Sequence, residues 1–299
     1  MSRLFVLGNA GLDVTLTMGR MPRPGETLIA ESAARAPGGK GLNQAVTAAR
    51  AGADVAFSAA LGRDTEAARV LDALAQEQLG FEPRYVAAPT DLSLILVSAE
   101  GENCIVTAGA AAAAYPVEEA GKFGSEVGPG DWLLMQGNLS EPATRAAMRS
   151  ARGRIILNTA PLNWPIRPLL PMCDLVIANA VEAESVTGVE AEAAARALIE
   201  AGARAAVVSL GSRGAVAAER DAAGVVRVIG SSAHPAAVVD SSGAGDTLCG
   251  LLAAALAADL PLMTALERAQ EAAALTVSRP GAFAALPTAA ELQRILSHP

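Results

Sequence analysis

Residues 238–247 read VVDSSGAGDT, and this segment gives the clearest indication of the fold class of the 299-residue chain. Its two valines predict the end of a short strand, and a loop of small residues follows. The apolar run through Ala258 then predicts a helix. A strand, a small-residue loop and a helix in direct succession are typical of α/β proteins, in which helices cover a parallel sheet.

The same segment has the composition of an anion site. Glycine lets the backbone approach a ligand closely, and the first turn of a helix presents free N–H groups with a partial positive charge. Asp246 lies in that first turn, where two roles are open to it. It can stabilise the helix N-terminus, a contribution of about 0.3–1 kcal/mol. It can also be a general base that takes a proton from a hydroxyl group attacking a phosphate.

A second glycine-rich segment, PGGKGLNQA at residues 37–45, also opens a predicted helix. It places Lys40, Asn43 and Gln44 in the first turns. The segment is not a P-loop, because that motif needs Gly at position 34 and Ser or Thr at position 41, where this chain has alanine and glycine. Lys40 is one of only two lysines, so it is either a point charge for a ligand or a solvated loop residue.

Strands and helices alternate along the chain. A predicted helix over 42–50 precedes a strand over 55–59, and a helix over 193–200 precedes a strand over 206–210. A glycine follows each helix in a position typical of a helix end. This repeated unit predicts a parallel sheet covered by helices. The further predicted elements are strands over 5–7, 132–135, 154–157 and 175–177, and helices over 244–258, 262–279 and 289–296.

Two segments interrupt this alternation and predict β-hairpins. The first pairs residues 14–17 with 27–31 across a turn rich in glycine and proline, and the second pairs 92–98 with 104–107. Hairpins that project from one edge of the core can form a small sheet that covers a site. They can equally be solvent-exposed hairpins without a functional role.

The charge and hydropathy of the chain exclude several classes of partner. Asp and Glu outnumber Lys and Arg by 31 to 23, which gives a net charge of −8 and argues against nucleic acid. The longest stretch without a charged residue covers positions 103–117, which is shorter than the ~20 apolar residues of a membrane-spanning helix. We therefore expect neither a nucleic acid nor a membrane as partner.

Histidine and cysteine chemistry is also disfavoured. The chain has only His234 and His298, each in a poor context for a catalytic triad or a metal site. Its three cysteines form no CxxC motif, so neither a disulfide framework nor a cysteine zinc site is indicated. Any chemistry is expected to depend on carboxylates, backbone amides and bound ions, and a cytoplasmic location is the expectation.

Together these segments resemble the ribokinase-like (PfkB) carbohydrate kinases. The segments at 38–45 and 240–246 are similar to the two signatures of that family, in the expected order and about 200 residues apart. The resemblance extends over nearly the whole chain. The remaining similar segments are residues 8–13, 24–27, 101–103, 179–188, 210–214 and 279–282.

The resemblance implies a fold and an assembly. The expected fold is a single α/β domain over residues 1–299, a ribokinase-like three-layer sandwich with a mostly parallel central sheet. Insertions near 10–37 and 90–108 would form a small β-sheet lid, which would exclude water from the reaction. Relatives often pair through their lids, so a homodimer is expected.

The resemblance also implies roles for individual residues. Asp246 would be the catalytic base, and the backbone amides of Gly243, Ala244 and Gly245 would form the anion hole. The residues expected to bind the sugar are Asp13, Gly38, Gly39, Lys40, Asn43 and Asn138.

Nucleotide and metal sites follow from the same resemblance. ATP would contact Asn179, Ser209, Gly211 and Gly214, and Glu182 with Asn179 would position Mg²⁺. Asn179 and Glu182 also fit a capping box at a helix start, and both roles are compatible. The residues expected around a K⁺ ion are Asp240, Ser242, Thr276, Arg279 and Gly281, mostly through backbone carbonyls.

The predicted activity is ATP-dependent phosphorylation of a hydroxymethyl group on a sugar or sugar-like compound. Two positions depart from the ribose pattern: Gly11 stands where an Asn is typical, and Asn138 stands where a Glu is typical. Gly11 is expected to leave room for a larger sugar, a sugar acid or a nucleoside. Trp164 either stacks on an aromatic ligand or packs in the core.

Three alternatives to a sugar kinase were open to this sequence. A nucleoside kinase of the same fold would differ only in its substrate pocket. A non-catalytic sugar- or nucleotide-binding regulatory protein is disfavoured by the intact Gly-Ala-Gly-Asp motif. A Rossmann dehydrogenase is excluded, because no GxGxxG follows the first strand.

Overall fold

The computed structural model of the protein describes residues 2–100, 103–221 and 223–298. The strands are β1 (Leu4–Asn9), β2 (Gly11–Met18), β3 (Ser32–Gly38), β4 (Val55–Leu61), β5 (Gly80–Tyr85), β6 (Asp91–Ser98), β7 (Asn103–Ala108), β8 (Trp132–Gln136), β9 (Arg154–Asn158), β10 (Leu175–Asn179), β11 (Ala205–Ser209), β12 (Ala215–Arg220) and β13 (Val226–Ser231). The α-helices are α1 (Lys40–Arg50), α2 (Thr65–Leu74), α3 (Ala110–Ala113), α4 (Val117–Glu126), α5 (Glu141–Ser150), α6 (Ala180–Thr187), α7 (Ala191–Glu200), α8 (Ala244–Ala257), α9 (Leu262–Val277) and α10 (Ala289–Ser297).

A large, mostly parallel sheet forms the centre of the molecule. Its nine strands follow the order β13-β12-β11-β10-β9-β8-β1-β4-β5, and only β12 and β13 run antiparallel to their neighbours. Helices α1, α2, α8, α9 and α10 pack in one hydrophobic core on one face, while α4, α5, α6 and α7 pack in a second core on the other. The predicted three-layer α/β sandwich is confirmed.

A small sheet of four strands forms the predicted lid, in the order β3-β2-β6-β7. The second predicted hairpin is confirmed as β6 and β7, whose connecting residues 101 and 102 lie outside the described part of the chain. The first needs a correction, because the strand expected at residues 27–31 lies at Ser32–Gly38. There it pairs with β2 from Thr17↔Ser32 to Gly11↔Gly38.

The short strand expected at Val238 and Val239 is also wrong. Both side chains are exposed, and this segment has no strand partner among the described residues. The amide of Val239 instead donates to the carbonyl of Val277 at 2.7 Å. The predicted helix after this segment is confirmed and begins at Ala244.

A close helix contact brings the two glycine-rich segments together. Helices α1 and α8 cross where a Cβ at Gly250 would lie 2.5 Å from the carbonyl oxygen of Gln44 and 2.8 Å from Cβ of Thr47. Because only glycine fits there, the first turns of the two helices lie side by side. None of the described helices is long and apolar enough to cross a membrane.

Candidate active site

A cleft of about 1410 Å³ lies between the small sheet and the carboxyl ends of the central strands. This is the usual place for a ligand site in an open α/β sheet. Most of the predicted site residues line it. They are Asp13, Gly39, Lys40, Asn43, Asn138, Asn179, Ser209, Gly211, Gly214, Ser242, Gly243, Ala244, Gly245 and Asp246.

Asp246 lies in the floor of this cleft with 7% of its surface exposed. Its Oδ2 accepts a hydrogen bond from Nδ2 of Asn43 at 3.1 Å, and its Oδ1 accepts one from Nε2 of Gln44 at 3.0 Å. The ammonium of Lys40 lies 4.0 Å from Oδ1, and this carboxylate raises the pKa of Lys40. Two amide donors and a nearby cation orient this carboxylate.

The first turn of α8 presents backbone amides beside this carboxylate, of which that of Ala244 also donates to the carbonyl of Ser241 at 3.4 Å. Gly243 is the N-cap, with φ of 79°, a backbone conformation that favours glycine. A Cβ at Gly245 would have no neighbour within 4 Å, so its backbone faces open space in the cleft. Because first-turn N–H groups have no partner within the helix, they are available to an anion.

Asp13 stands on the lid side of the cleft. Burial raises its pKa to about 6, and the charge of Asp246 acts in the same direction. A hydrogen bond with Ser93 and the charge of Lys40 act against this rise. Gly38, which pairs with Gly11 across β2 and β3, does not line the cleft, but a Cβ there would overlap the carboxylate of Asp13.

Gly11 does not provide the expected room for a larger substrate. A Cβ at this position would collide with the backbone carbonyl of Asp91 on β6, so the space beside Gly11 is already filled. Asp91 lines the cleft, and its Oδ1 accepts from the amides of Ala111 and Ala112. Burial raises the pKa of Asp91 to about 6, although these hydrogen bonds lower it.

Two asparagines leave buried acceptors without a partner. The Oδ1 atoms of Asn43 and Asn138 have no hydrogen-bond partner among the described residues, and both side chains line the cleft. Buried polar atoms are normally satisfied, so such atoms point to a bound group that supplies donors. Hydroxyl groups of a sugar would supply them.

The residues predicted to bind ATP lie at the carboxyl ends of β10 and β11 and in the turn after β11. They are Asn179, Ser209, Gly211 and Gly214, and all four line the cleft. Glu182 does not line the cleft. It completes a capping box with Asn179 at the start of α6, and its Oε2 also accepts from the hydroxyl of Thr159 at 2.8 Å.

The two segments predicted to enclose a monovalent cation lie next to each other. The carboxylate of Asp240 accepts from the amides of Ser242 and Gly281, both at 2.8 Å. Partial burial raises the pKa of Asp240, but these hydrogen bonds outweigh burial and hold the pKa below its usual range. Arg279 pairs with Glu291. Thr276 bonds to Thr247, and neither Thr276 nor Arg279 lines the cleft.

The sequence analysis missed several residues of the cleft. Asn9 ends β1 and accepts from the amide of Gly41, while Gln270 on α9 bonds to Ser231. A polar residue at the carboxyl end of a parallel strand was the signal that could have identified Asn9. Trp164 lies outside the cleft: it is half-buried, packs against the core and donates to the carbonyl of Leu139, so the packing interpretation is correct.

Comparison with known proteins shows which family this chain matches. Residues 1–289 match the family described as pfkB family carbohydrate kinase. A ribokinase of Haemophilus influenzae is 31% identical over 308 residues, covering 99% of this chain and 98% of the relative. Similar solved structures include a ribokinase of Thermotoga maritima (TM-score 0.90, 25% identity) and an Arabidopsis thaliana ribokinase complexed with ribose and ATP (0.85, 26%). Both cover 100% of each chain.

These matches extend over the full length of the chain and agree with the site geometry. The glycine-rich helix start, its aspartate and the small sheet above them occur in one cleft. The chain belongs to the pfkB family of carbohydrate kinases and is a kinase of the ribokinase type, which phosphorylates an alcohol group of a sugar.

Proposed function

We propose that the enzyme transfers the terminal phosphoryl group of ATP to a hydroxymethyl group of a neutral sugar, with Asp246 as general base. The observation that carries this proposal is the Asp246 carboxylate, which two amides orient at the N-terminus of α8. Phosphoryl transfer depends mainly on positioning and charge stabilisation, and this site offers both.

In the proposed step, Asp246 accepts the proton of the sugar hydroxyl while the hydroxyl oxygen bonds to the terminal phosphorus. The bond from that phosphorus to the bridging oxygen breaks, and ADP leaves. The amides of Gly243, Ala244 and Gly245 receive the charge of the transferring group. Lys40, which lies 4.0 Å from Asp246, adds a positive charge on the same side.

ATP as the donor is supported by the ribokinase solved with ribose and ATP. We place its phosphates against the first turn of α8 and its nucleoside beside Ser209, Gly211 and Gly214. A donor of this kind also favours the cytoplasm, where ATP is plentiful.

We propose that Mg²⁺ and K⁺ also bind at this site. Glu182, whose carboxylate oxygens accept from Asn179 and Thr159, would position Mg²⁺ through water together with Asn179, as Mg²⁺ commonly binds. Backbone carbonyls of the adjacent segments at 240–242 and 276–281 would hold K⁺, since hydrogen bonds of Asp240 tie these segments together. When bound, Mg²⁺ supplies charge neutralisation of the phosphates.

A neutral sugar is favoured over a sugar acid by the charge of the lid side. Asp13 and Asp91 both line that part of the cleft, and Lys40 is the one lysine or arginine in the described lining. An anionic substrate would face two carboxylates there, and like charges in a partly buried site repel strongly. The unpaired oxygens of Asn43 and Asn138 suit hydroxyl donors.

We also propose a homodimer that forms through the small sheet. Residues Asp13, Ser93, Ile95, Ile105 and Thr107 face the cleft, so the alternate residues of these strands face away from it. That outer face is mostly apolar and half-buried or exposed: it includes Val14, Leu16, Leu94, Leu96 and Val106, with Arg35 of β3 opposite Val14. Sedimentation equilibrium should give twice the chain mass of 30.1 kDa, whereas a monomer mass would contradict this assembly.

The test of the proposed function is ADP release by the purified protein across neutral pentoses and hexoses, sugar acids and nucleosides. Ribose is the first sugar in the panel, and each assay is run with and without Mg²⁺ and K⁺. We expect turnover with at least one neutral sugar and none with sugar acids. Turnover confined to nucleosides or sugar acids would contradict the proposal, as would ATP binding without turnover on any member.

Sugar affinity should also depend on pH through Asp13. Its pKa is raised to about 6, so the carboxylate is ionised at pH 7 and about nine-tenths protonated at pH 5. If the ionised form binds a sugar hydroxyl, KM for the sugar should rise about tenfold between pH 7 and pH 5. KM for ATP measured in parallel is the control. An unchanged sugar KM in this window would show that Asp13 does not bind the sugar as a carboxylate.

A further inference from the structure

A chain of buried side-chain amides ends on the carboxylate of Asp246. Nε2 of Gln136, the last residue of β8, donates to Oε1 of Gln44 on α1 at 2.9 Å. Nε2 of Gln44 then donates to Oδ1 of Asp246 at 3.0 Å. Both glutamines are fully buried and neither lines the cleft, so neither can touch a substrate.

The donor-to-acceptor direction of these hydrogen bonds follows from the carboxylate at their end. An ionised carboxylate only accepts hydrogen bonds, so the amide of Gln44 must turn its nitrogen toward Asp246. Its oxygen then faces Gln136, which must donate in turn. If the Gln44 amide were reversed, its oxygen would face an oxygen of Asp246, and both bonds would be lost.

At the far end of this series of hydrogen bonds, Gln136 donates through Nε2 while its own acceptor has no partner within the described part of the chain. Its Oε1 is buried and has no hydrogen-bond partner in the described residues. It lies against Gly8 of β1, where a Cβ would overlap it. A buried amide that leaves its acceptor unpaired while its donor is paired is unusual. The arrangement favours a role for the donor end.

We propose that Gln136 and Gln44 are positioning residues, which hold the Asp246 carboxylate in the orientation that proton abstraction requires. Gln44 acts directly on Oδ1, and Gln136 acts through Gln44 by donating to its Oε1, which holds that amide in place against Asp246. This inference rests on the proposed role of Asp246 as general base. It adds that the base depends on a buried relay behind the cleft wall, the hydrogen bonds from Gln136 to Gln44 and from Gln44 to Asp246.

The experiment is a double-mutant cycle with Gln44→Met and Gln136→Met, which keep side-chain length and remove the donors. We expect kcat to fall about 10- to 100-fold for Gln44→Met and about 5- to 10-fold for Gln136→Met, since hydrogen bonds to a charged group are strong. KM for sugar and ATP should stay within about threefold. The double variant should match Gln44→Met alone, because Gln136 acts only through Gln44.

The split between kcat and KM separates positioning from simple packing. Misorientation of the base should lower kcat at nearly constant KM, whereas a loss of packing around the cleft should also raise KM for the sugar or ATP. Met135→Leu is the matched control: it changes a buried neighbour of Gln136 on β8 outside the relay, and its kcat and KM should not change. If the Met variants do not fold, Gln136→Asn keeps the polar group while shortening its reach.

Two outcomes would overturn this inference. One is a kcat within twofold of wild type in folded Gln44→Met. The other is a double variant whose losses multiply. The proposed function is tested separately: if Asp246→Asn is inactive while Gln44→Met is fully active, only the relay fails. If Asp246→Asn retains full activity, the proposed base fails.

Discussion

Asp246→Asn is expected to lower kcat by about 100- to 10,000-fold while the protein still binds ATP. The introduced amide cannot accept the hydroxyl proton. It also places an NH₂ group against the amide donor of Asn43 or Gln44. In the wild-type protein both of these amides donate to the carboxylate. Proton abstraction is lost, whereas the amides of the α8 N-terminus that would bind the phosphates remain.

The measurement is kcat with the sugar that gives the best turnover, together with the dissociation constant for ATP. Thermal unfolding monitors the fold, because the substitution alters a buried hydrogen-bond network. A kcat within about fivefold of wild type would contradict the assignment of Asp246 as the base. Loss of ATP binding would indicate that the carboxylate organises the nucleotide site.

Gly243→Ala is expected to have the second-largest effect, a fall in kcat of about 100- to 1000-fold. Gly243 has φ of 79°, and an added Cβ would lie 3.1 Å from Cα and 3.2 Å from the carbonyl oxygen of Ala282. The backbone strain of a positive φ and the close contact with Ala282 would together displace the start of α8. Its amides would then no longer converge on the transferring phosphoryl group. Strain of this kind also costs about 1 kcal/mol of stability.

Gly130→Ala provides the matched control for this strain. Gly130 has φ of 95°, and a Cβ there would meet nothing within 4 Å. The residue lies before β8, outside the cleft lining. The two variants should lose similar stability in a thermal or urea melt, but only Gly243→Ala should lose turnover. Equal kcat values for the two would show that the backbone at Gly243 does not form the anion hole.

The parts of the fold that depend on local patterns were predictable from the sequence. The two glycine-rich helix starts and the buried strands β1, β4, β8, β9 and β10 follow from apolar runs with clear boundaries. Several helices, including α2, α4 and α5, were not predicted. Tertiary pairing explains the strand error. Residues 27–31 have stronger strand propensity, but β2 selects the small residues from Ser32 to Gly38 as its partner.

Site residues that occur within a sequence motif could be predicted. Features of the site that depend on a contact between distant parts of the sequence could not. Asp246 and Lys40 occur within motifs, and the structure places both in the cleft. The filled space beside Gly11 depends on Asp91 of a different strand. The link between Gln44 and Gln136 joins residues 92 positions apart. Such contacts require knowledge of which strand and helix are neighbours.

The crossing of α1 and α8 at Gly250 has a consequence for the timing of activity. The hydrogen bond between Asn43 and Asp246 spans 203 positions. At synthesis rates of about 5–20 residues per second, the ribosome delivers Asp246 roughly 10–40 s after Asn43. A nascent chain can therefore build its first sheet strands and its lid while still lacking the base and the anion hole. Turnover should therefore appear only when the last stage of folding is complete. A chain truncated before Asp246 should not consume ATP.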